Sequence, residues 1–383
     1  MTTLLHNALL DNKAVDITLR DGLVDNIQPA ATVPSDAAAV DCSGLSVFPG
    51  LCNMHSHAPM TLFRGLGDDQ PLDVWLNEYI WPAEKQLTDE RVYQGTLQAC
   101  REMLASGTTA FNDMYFRLPA MRRAVADSGI RARLGLNVFG DADELDDPSV
   151  IDGLLQLQSD RIAVSIAPHS VYTVSPRGLQ RAAAACHRLG VPMHIHMNET
   201  QKEVDDCLAQ HGCRPWKLLE RLGILDLLGS NIIAAHCLHL SEREIRLIGD
   251  HGITCVHCPN SNLKLGSGYR FPMLELLAAG ARVTLGTDGS ASSNNLDMIE
   301  VMKTSALLQK GWRCDPTAVP AAQIFSLASL GSTIAPGQAA DLFLAPVRNL
   351  SNLVYASHGE CVAMTIVAGE IVFQRENTIH RHP

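Results

Sequence analysis

The sequence predicts an α/β protein with a (β/α)8 TIM-like barrel and a small β-sandwich built from the N- and C-terminal segments. Three observations support this fold class. Strand-like and helix-like windows alternate through the middle of the 383-residue chain, both ends are β-rich, and metal-binding side chains follow several of the strand-like windows. Hydrophobic residues make up 46% of the chain, which is enough to fill the core of one large barrel.

The two ends of the chain consist of short strand-like segments and turns. An Asp-Gly step separates the first two segments, which is typical of a β-hairpin, and an Ala-Gly step bends the last one. We therefore expect a β-sandwich domain of residues 1–48 and 335–383, and a barrel of residues 49–334. The strand-like segments at the ends are Asp16–Arg20, Leu23–Ile27, Ala340–Ala345 and Thr365–Phe373.

Eight strand-like windows, alternating with helix-like ones, predict the barrel. Eight strand–helix units form a closed parallel barrel, and its active site lies at the C-terminal ends of the strands. The strand windows are residues 45–54, Thr108–Met114, Ile130–Val138, Arg161–Ala167, Val191–Met197, Asn231–Ala235, Ile253–His257 and Arg282–Thr287. The helical windows include Asp89–Ser106, Pro176–Leu189, Glu203–Leu222, Ser241–Asp250 and Leu296–Gln309.

Two histidines, one residue apart, follow the first strand. Because His55 and His57 point to the same side of an extended chain, their imidazoles can converge on one point. His196 ends the fifth strand and Asp288 ends the eighth. Three nitrogens and one carboxylate oxygen suit one divalent metal ion, zinc or ferrous iron, and leave a position for water. A second metal would usually need a bridging lysine from strand four, and residues 161–171 contain none.

Further polar residues at the strand ends predict hydrolytic chemistry. A bound cation lowers the pKa of its water toward about 7. Glu199, three residues after His196, is placed to take up that proton and return it to a substrate. His236, at the end of strand six, and Asp288 are expected to orient the attacking oxygen and to stabilise charge on the attacked centre.

Other histidines and cysteines near these positions have more than one interpretation. His194 shares a face with His196, and we expect it to support the metal ligands without binding the metal. His169, at the end of strand four, is either a substrate contact or a loop histidine. Cys255 and Cys258 have the spacing of a metal-binding pair, but no second pair accompanies them, so core packing is the better interpretation.

Composition limits the partners of this protein. The net charge is −11 and there is no block of lysine or arginine, which argues against nucleic acid or an anionic membrane surface. There is no membrane-spanning apolar window and no signal peptide pattern. The eleven cysteines lack a disulfide framework, as expected for reduced thiols in a cytoplasmic protein. A small-molecule substrate is expected, and a homo-oligomer is possible.

The segments around the predicted site resemble the amidohydrolase superfamily, and within it the aminohydrolases that act on nucleobases and nucleosides. The resemblance is strongest to the 5′-methylthioadenosine/S-adenosylhomocysteine deaminase family and runs nearly from end to end. The motifs that carry it are Pro49–Met60, His196–Glu203, His236–Leu240, His257–Leu265 and Leu285–Asn295.

The resemblance implies a role for each site residue. It also implies that Glu84, in the segment Tyr79–Glu84, binds the ribose hydroxyls and that His169 contacts the substrate. The chain departs from the family at one position, where Leu136 stands in place of an arginine thought to contact the ribose or the substrate tail. The metal pattern of the family matches His55, His57, His196 and Asp288, its proton shuttle matches Glu199, and its strand-six histidine matches His236.

Three functions remain open from the sequence. The first is metal-dependent hydrolytic deamination of an adenine-type nucleoside, namely 5′-methylthioadenosine, S-adenosylhomocysteine, 5′-deoxyadenosine or adenosine, to an inosine-type product and ammonia. Glu84 favours it, since a carboxylate can accept from two vicinal hydroxyls. The second is an aminohydrolase or hydrolytic dechlorinase for a free nucleobase, pterin or triazine. The third is a non-catalytic metal-binding protein, which Glu199 disfavours because metal storage needs no proton shuttle.

Overall fold

The structure, a computed structural model, describes residues 2–31 and 39–376, and its strands form two separate sheets. The strands of the first sheet are β1 (Thr2–Leu10), β2 (Lys13–Arg20), β3 (Leu23–Pro29), β4 (Ala39–Asp41), β5 (Ser46–Pro49), β14 (Leu342–Ala345), β15 (Met364–Val367) and β16 (Glu370–Gln374). The strands of the second sheet are β6 (Leu51–Ser56), β7 (Thr108–Tyr115), β8 (Arg131–Val138), β9 (Ile162–Pro168), β10 (Met193–Met197), β11 (Ile232–His236), β12 (Thr254–His257) and β13 (Arg282–Leu285).

The second sheet is the barrel, and its strands run in chain order from β6 to β13 with parallel neighbours. The first and last strands meet at a seam. There the backbone N–H of Asp288 donates to the carbonyl oxygen of His55 over 2.9 Å, and Nδ2 of Asn53 donates to Oγ1 of Thr287 over 2.7 Å. The predicted barrel is confirmed, and the seam lies beside the predicted metal ligands.

The first sheet joins the two ends of the chain. Its strand order is β16-β15-β14-β5-β1-β2-β3, with β4 beside β1. The N-terminal strand β5 pairs antiparallel with the C-terminal strand β14, and a separate buried apolar cluster includes Leu5, Ile17, Leu342 and Ile366. The prediction that both ends build one small β unit is confirmed. The domain boundaries next to residues 48 and 335 stay a prediction.

The predicted single strand at residues 45–54 is wrong in one respect, because it is two strands that belong to different sheets. Strand β5 lies in the first sheet and β6 opens the barrel. The chain crosses between the sheets at Gly50, where a Cβ atom would lie only 2.2 Å from Oγ1 of Thr109. Glycine is the residue that permits so close an approach.

The predicted helix Glu203–Leu222 is also divided. It ends at Gly212, which adopts a left-handed conformation with φ of 65°, and Pro215 begins the next helix. None of the helices in the described residues combines the length and apolar character needed to cross a membrane. The α-helices are α1 (Leu72–Val74), α2 (Trp81–Glu84), α3 (Asp89–Ala105), α4 (Leu118–Ser128), α5 (Pro148–Leu155), α6 (Pro176–Leu189), α7 (Gln201–His211), α8 (Pro215–Arg221), α9 (Ile224–Leu228), α10 (Glu242–Asp250), α11 (Pro259–Lys264), α12 (Met273–Ala279), α13 (Ser290–Ser293), α14 (Met298–Arg313), α15 (Ala321–Ala328) and α16 (Leu350–Ala356).

Candidate active site

The four predicted metal ligands meet at the C-terminal end of the barrel, and all four side chains are buried. Oδ1 of Asp288 lies 3.3 Å from Nε2 of His55 and 3.2 Å from Nε2 of His57. Nε2 of His196 lies 3.4 Å from Nε2 of His57. Three ring nitrogens and one carboxylate oxygen therefore converge on one point, two of the rings and the carboxylate coming from the two sides of the seam and the third ring from β10.

The second ring nitrogen of each histidine is held by a neighbour. The contacts are His57 Nδ1 to the carbonyl oxygen of Met114 at 2.8 Å, His196 Nδ1 to the carbonyl oxygen of His169 at 2.8 Å, and His55 Nδ1 to Nε2 of His194 at 2.9 Å. Such outer contacts fix the ring orientation and leave Nε2 free to bind a metal. Nε2 of His55 has no hydrogen-bond partner among the described residues, as expected for a ligand atom. This contact places His194 where a residue that supports His55 would lie, and its role stays a prediction.

Asp288 is held in an unusual conformation. Its φ is 63°, in the left-handed region that aspartate adopts only when its surroundings require it. Its Oδ2 accepts from the hydroxyls of Ser261 over 2.6 Å and Ser292 over 2.8 Å, and its Oδ1 accepts from the backbone N–H of Gly289 over 2.8 Å. Burial opposes ionisation, but the two neighbouring histidines hold the pKa of Asp288 well below its usual range.

His236 faces the same point from β11. Its φ is 73°, and its Nδ1 lies 2.8 Å from Oδ1 of Asn262. Because that oxygen can only accept, Nδ1 carries the proton and Nε2 is turned toward the site. Nε2 of His236 lies 3.9 Å from Oε2 of Glu199, and His55, His196 and His236 together could also supply a metal with three ligand atoms.

Glu199 lies just beyond β10 in a short buried turn. Its Oε1 accepts from the hydroxyl of Ser267 over 3.2 Å. The carboxylate of Glu203 accepts from the backbone N–H groups of Asn198 and Glu199, both over 2.8 Å, and so fixes the turn. Burial raises the pKa of Glu199, although the charge of His236 opposes the shift. A carboxylate with a raised pKa is suited to exchange a proton with a bound molecule.

A profile of the Amidohydrolase family matches residues 46–372. The chain belongs to this family. A 5′-deoxyadenosine deaminase of Methanothermobacter thermautotrophicus is 41% identical over 367 residues, which cover 89% of this chain and 85% of that protein. A 5-methylthioadenosine/S-adenosylhomocysteine deaminase of Moorella thermoacetica is 40% identical over 388 residues, which cover 94% and 90%. The crystal structure of an adenosine deaminase from Xanthomonas campestris with bound zinc has a TM-score of 0.86 at 31% identity, covering 97% of this chain and 92% of that chain.

The donor set of this amidohydrolase fits one divalent metal ion such as zinc, which binds imidazole nitrogen and carboxylate oxygen. Burial lowers the pKa of His55 to about 4 and that of His196 well below its usual range, so both rings are neutral, as ligands must be. His57 differs. Burial would lower the pKa of His57 too, but the hydrogen bond and charge of Asp288 raise it to about 9, so a metal ion that binds there would have to displace a proton.

The predicted substrate contacts line the same cavity of the amidohydrolase, whose volume is about 60 Å³. Glu84 ends the helical segment that begins with α1 and continues through a π-helix at Trp75–Ile80, a form that often marks functional sites. Burial raises the pKa of Glu84, and Tyr115 and His57 oppose this shift. The ring of His169 lies 4.7 Å from that of His196. The structure thus brings together all of the sequence-predicted site residues.

Several lining residues of the amidohydrolase cavity were not predicted. On β8 and just after it, Asn137 and Phe139 line the cavity, whereas Leu136 is partly buried and packs against the core. Residues at i and i+2 of a strand share one face, so the pattern of β8 held the signal for this pair. Asn262 lies within the motif His257–Leu265, and Ser267 follows it. The residues that they hydrogen-bond, His236 and Glu199, lie at the ends of other strands, so the motif alone did not reveal these contacts.

Proposed function

We propose that this enzyme is a metal-dependent hydrolytic deaminase that acts at C6 of an adenine-type nucleoside. One observation carries the proposal. Glu199 and His236 face the predicted metal ligands inside one buried cavity, and Glu84 lies in the wall of that same cavity. Proton transfer, charge stabilisation and recognition of a vicinal diol therefore come together in a single site. Named relatives that act on such nucleosides support it.

The reaction adds water across C6 of the purine ring, breaks the bond between C6 and the exocyclic nitrogen, and releases ammonia. The metal would be held by His55, His57, His196 and Asp288, and when bound it supplies water that ionises near neutral pH. Each remaining step needs a proton at a defined atom. Those protons must come from groups that this chain places around the attacked carbon.

Glu199 is the proposed proton carrier. Its Oε1 is held by Ser267 at 3.2 Å, while Oε2 faces His236 at 3.9 Å. This carboxylate takes one proton from the attacking water and delivers it to the ring nitrogen next to C6, and a further proton goes to the leaving ammonia. Burial raises the pKa of Glu199 above its usual range, which favours the uptake of a proton by this carboxylate.

His236 is proposed to stabilise the oxygen that attacks C6. Its Nδ1 proton is fixed on Asn262, which keeps the ring from turning and presents Nε2 to the site. Asp288 is ionised and faces the same point, so it can accept a hydrogen bond from the attacking water. The ring of His236 and the carboxylate of Asp288 are already oriented before the substrate binds. Little reorganisation is therefore needed in the transition state, which lowers the activation free energy.

Glu84 is proposed to bind the ribose. An ionised carboxylate can accept from both the 2′ and 3′ hydroxyls, and each charge-assisted bond is stronger than a neutral one. His169 also lines this cavity, with its ring stacked on Phe139 at 5.2 Å, and is proposed to contact the substrate there. A free base, pterin or triazine would leave Glu84 without a partner, which makes such substrates the weaker alternative.

A cytoplasmic location is also proposed. All eleven cysteines are free, and most are buried. Burial raises the pKa of thiols such as Cys100 and Cys186 to about 12, so they remain protonated and unreactive at neutral pH. Reduced, scattered cysteines are typical of proteins in a reducing compartment.

Ammonia release from the zinc-loaded enzyme tests the proposed function. The panel contains adenosine, 5′-deoxyadenosine, 5′-methylthioadenosine and S-adenosylhomocysteine, with adenine, guanine, cytosine and a pterin as free-ring compounds. The proposal predicts turnover of at least one nucleoside and little or none of the free rings. Turnover of the free rings alone would refute a nucleoside substrate.

Glu199→Gln is the matched control. It keeps the size of the side chain and one acceptor oxygen, but it cannot carry the proton. We expect zinc content to stay stoichiometric while kcat falls by a factor on the order of 10² to 10⁴. A near-normal kcat would remove Glu199 as the proton carrier.

A further inference from the structure

A cavity at the N-terminal end of the barrel strands lies away from the predicted active site and is called the lower cavity here. Its volume is about 330 Å³. It is lined mainly by residues of β6, β7, β8 and β9 and of the turn that precedes β9. Among the described residues, none lines both this cavity and the catalytic one. The lower cavity is therefore a separate space with a chemistry of its own.

Small side chains explain why the barrel is not filled at this end. The interior of a parallel barrel is normally packed with layers of bulky, branched side chains. Here Cys52 of β6, Ala110 of β7 and Ala163 of β9 line the lower cavity. Ala163 is exposed, although it lies within a barrel strand. The lower end of the barrel is therefore open to water and to small solutes.

Arg133 is a half-buried cation in the wall of the lower cavity. Its Nε atom is buried and has no hydrogen-bond partner among the described residues. Burial lowers the pKa of Arg133, but an arginine side chain stays protonated at neutral pH. Removing a charge from water without a partner costs free energy. This guanidinium therefore favours any anion that can reach it.

The two other arginines of the lower cavity already have counter-charges. Nε of Arg131 pairs with Oδ2 of Asp341 at 2.7 Å. Nη2 of Arg161 pairs with Oε2 of Glu370 at 2.5 Å. Among the described residues, no carboxylate lies within ion-pair distance of Arg133. The unbalanced positive charge of the cavity is therefore located at Arg133.

The remaining polar side chains near Arg133 do not balance its charge. Burial raises the pKa of Cys52 to about 12, so its thiol is neutral at physiological pH. Asp160 is the acidic side chain among the described lining residues, and it is exposed to water. The hydroxyl oxygen of Ser159 accepts from the backbone N–H of Arg161 over 3.4 Å, which leaves the hydroxyl proton available to an anion.

We propose that the lower cavity is a binding site for a small oxyanion such as inorganic phosphate, with Arg133 as its principal partner. One edge of a guanidinium presents two parallel N–H groups, which match two oxygens of the same anion. Nε lies on that edge, and it is the atom that has no other partner. A halide ion has a single centre and cannot make this paired contact. The site does not depend on the proposed deaminase function.

A phosphate titration of the zinc-loaded enzyme tests the inference, with Tm as the readout and sodium chloride to keep the ionic strength constant. An anion that binds the folded chain raises Tm by mass action, and the rise should saturate at millimolar phosphate. Phosphate also stabilises proteins because it is excluded from their surface, but that effect does not saturate. A Tm that does not rise, or that rises without saturation, would overturn the inference.

Three variants locate the bound anion. Arg133→Met keeps much of the apolar stem and removes the charge, so the Kd for phosphate, measured by calorimetry, should rise at least tenfold. Ala163→Leu keeps every charge but fills the cavity, and it should weaken binding by a similar factor. Arg282→Met is the matched control, because Arg282 is exposed at the start of β13, at the same end of the barrel, and does not line the cavity. Its Kd should stay within twofold of the unmodified enzyme.

The outcomes that would overturn the inference are distinct. An Arg133→Met enzyme that binds phosphate as tightly as the unmodified one would show that the anion lies elsewhere, for example at the catalytic metal. If that variant does not fold, unchanged binding by Ala163→Leu would show the same. An equal loss in Arg282→Met would mean that only the general charge of this end matters. Chloride that binds as tightly as phosphate would contradict an oxyanion site.

Discussion

The substitution Gly286→Ala tests whether the seam of the barrel holds the metal site together. Gly286 lies between β13 and Asp288, directly against β6. A Cβ atom at this position would lie 2.8 Å from the backbone nitrogen of His55, 2.9 Å from its carbonyl oxygen and 3.0 Å from its Cβ. These are mostly backbone atoms, so no side-chain rotation can relieve the overlap. The two strands must move apart.

The size of the effect follows from those distances. Ordinary contact begins near 3.4 Å, so the seam must open by roughly 0.6 Å, and overpacking of this kind costs about 1–3 kcal/mol. Ligand distances in a metal site tolerate only about 0.2 Å. An opening of the seam separates Asp288 from His55 and His57, so zinc affinity should fall by roughly 10- to 100-fold.

Two measurements check this prediction. Urea unfolding of the zinc-free protein gives the loss of stability, and competition with a chelating dye gives zinc affinity. Gly153→Ala is the matched control, since Gly153 lies in α5 with no atom within 4 Å of the added methyl group, and alanine should stabilise that helix by about 0.5–1 kcal/mol. If Gly286→Ala matched Gly153→Ala in both stability and zinc affinity, the seam would not position the ligands.

Three further predictions follow from the site. His194→Phe should weaken zinc binding roughly 10- to 100-fold, because it removes the 2.9 Å contact that orients His55; unchanged affinity would contradict that role. Glu84→Ala should raise KM for nucleosides at least tenfold, and an unchanged KM would separate Glu84 from the ribose. Removal of zinc should lower Tm, and zinc at 100 times its Kd should restore about 2.7 kcal/mol; an unchanged Tm on chelation would contradict a metal held by the folded chain.

The barrel and the convergence of the four proposed metal ligands could be predicted because both depend on local pattern. Apolar strand windows fixed the positions of the strand ends, and alternation along a strand placed His55 and His57 on one side. Parallel strands then brought these ends together with His196 and Asp288. The long helix at Asp89 was predicted almost to its end for the same reason, since its apolar periodicity spans several turns.

Contacts that cross between elements could not be predicted in this way. The hydrogen bond between Asn262 and His236 depends on the path of the chain after β12. The hydrogen bond between Ser267 and Glu199 depends on the turn beyond α11. Such paths rest on backbone conformations that the sequence pattern does not show, such as φ of 52° at Asn198. The break at Gly50 was missed because the apolar residues on either side of Pro49-Gly50 were joined into one strand, although a Pro-Gly step is a turn signal.

Leu136 is a position that the sequence singled out correctly but whose surroundings it did not reveal. Comparison with the family pattern placed this residue where an arginine, thought to contact the ribose or the substrate tail, was expected. The structure shows that Leu136 is partly buried against the core and that Asn137 and Phe139 face the cavity. Phe116, just after β7, and Phe139, just after β8, stack on each other in the wall of this cavity, and neither strand reveals this by itself.

The most direct test of hydrolytic deamination is to run the reaction of the zinc-loaded enzyme with 5′-deoxyadenosine in water enriched in oxygen-18. Mass spectrometry of the product and an ammonia assay are then made on the same sample. Our account predicts one solvent oxygen in each product molecule and one ammonia released with it, and neither with Glu199→Gln on the same time scale. Product without solvent oxygen, or the same yield from Glu199→Gln, would contradict it.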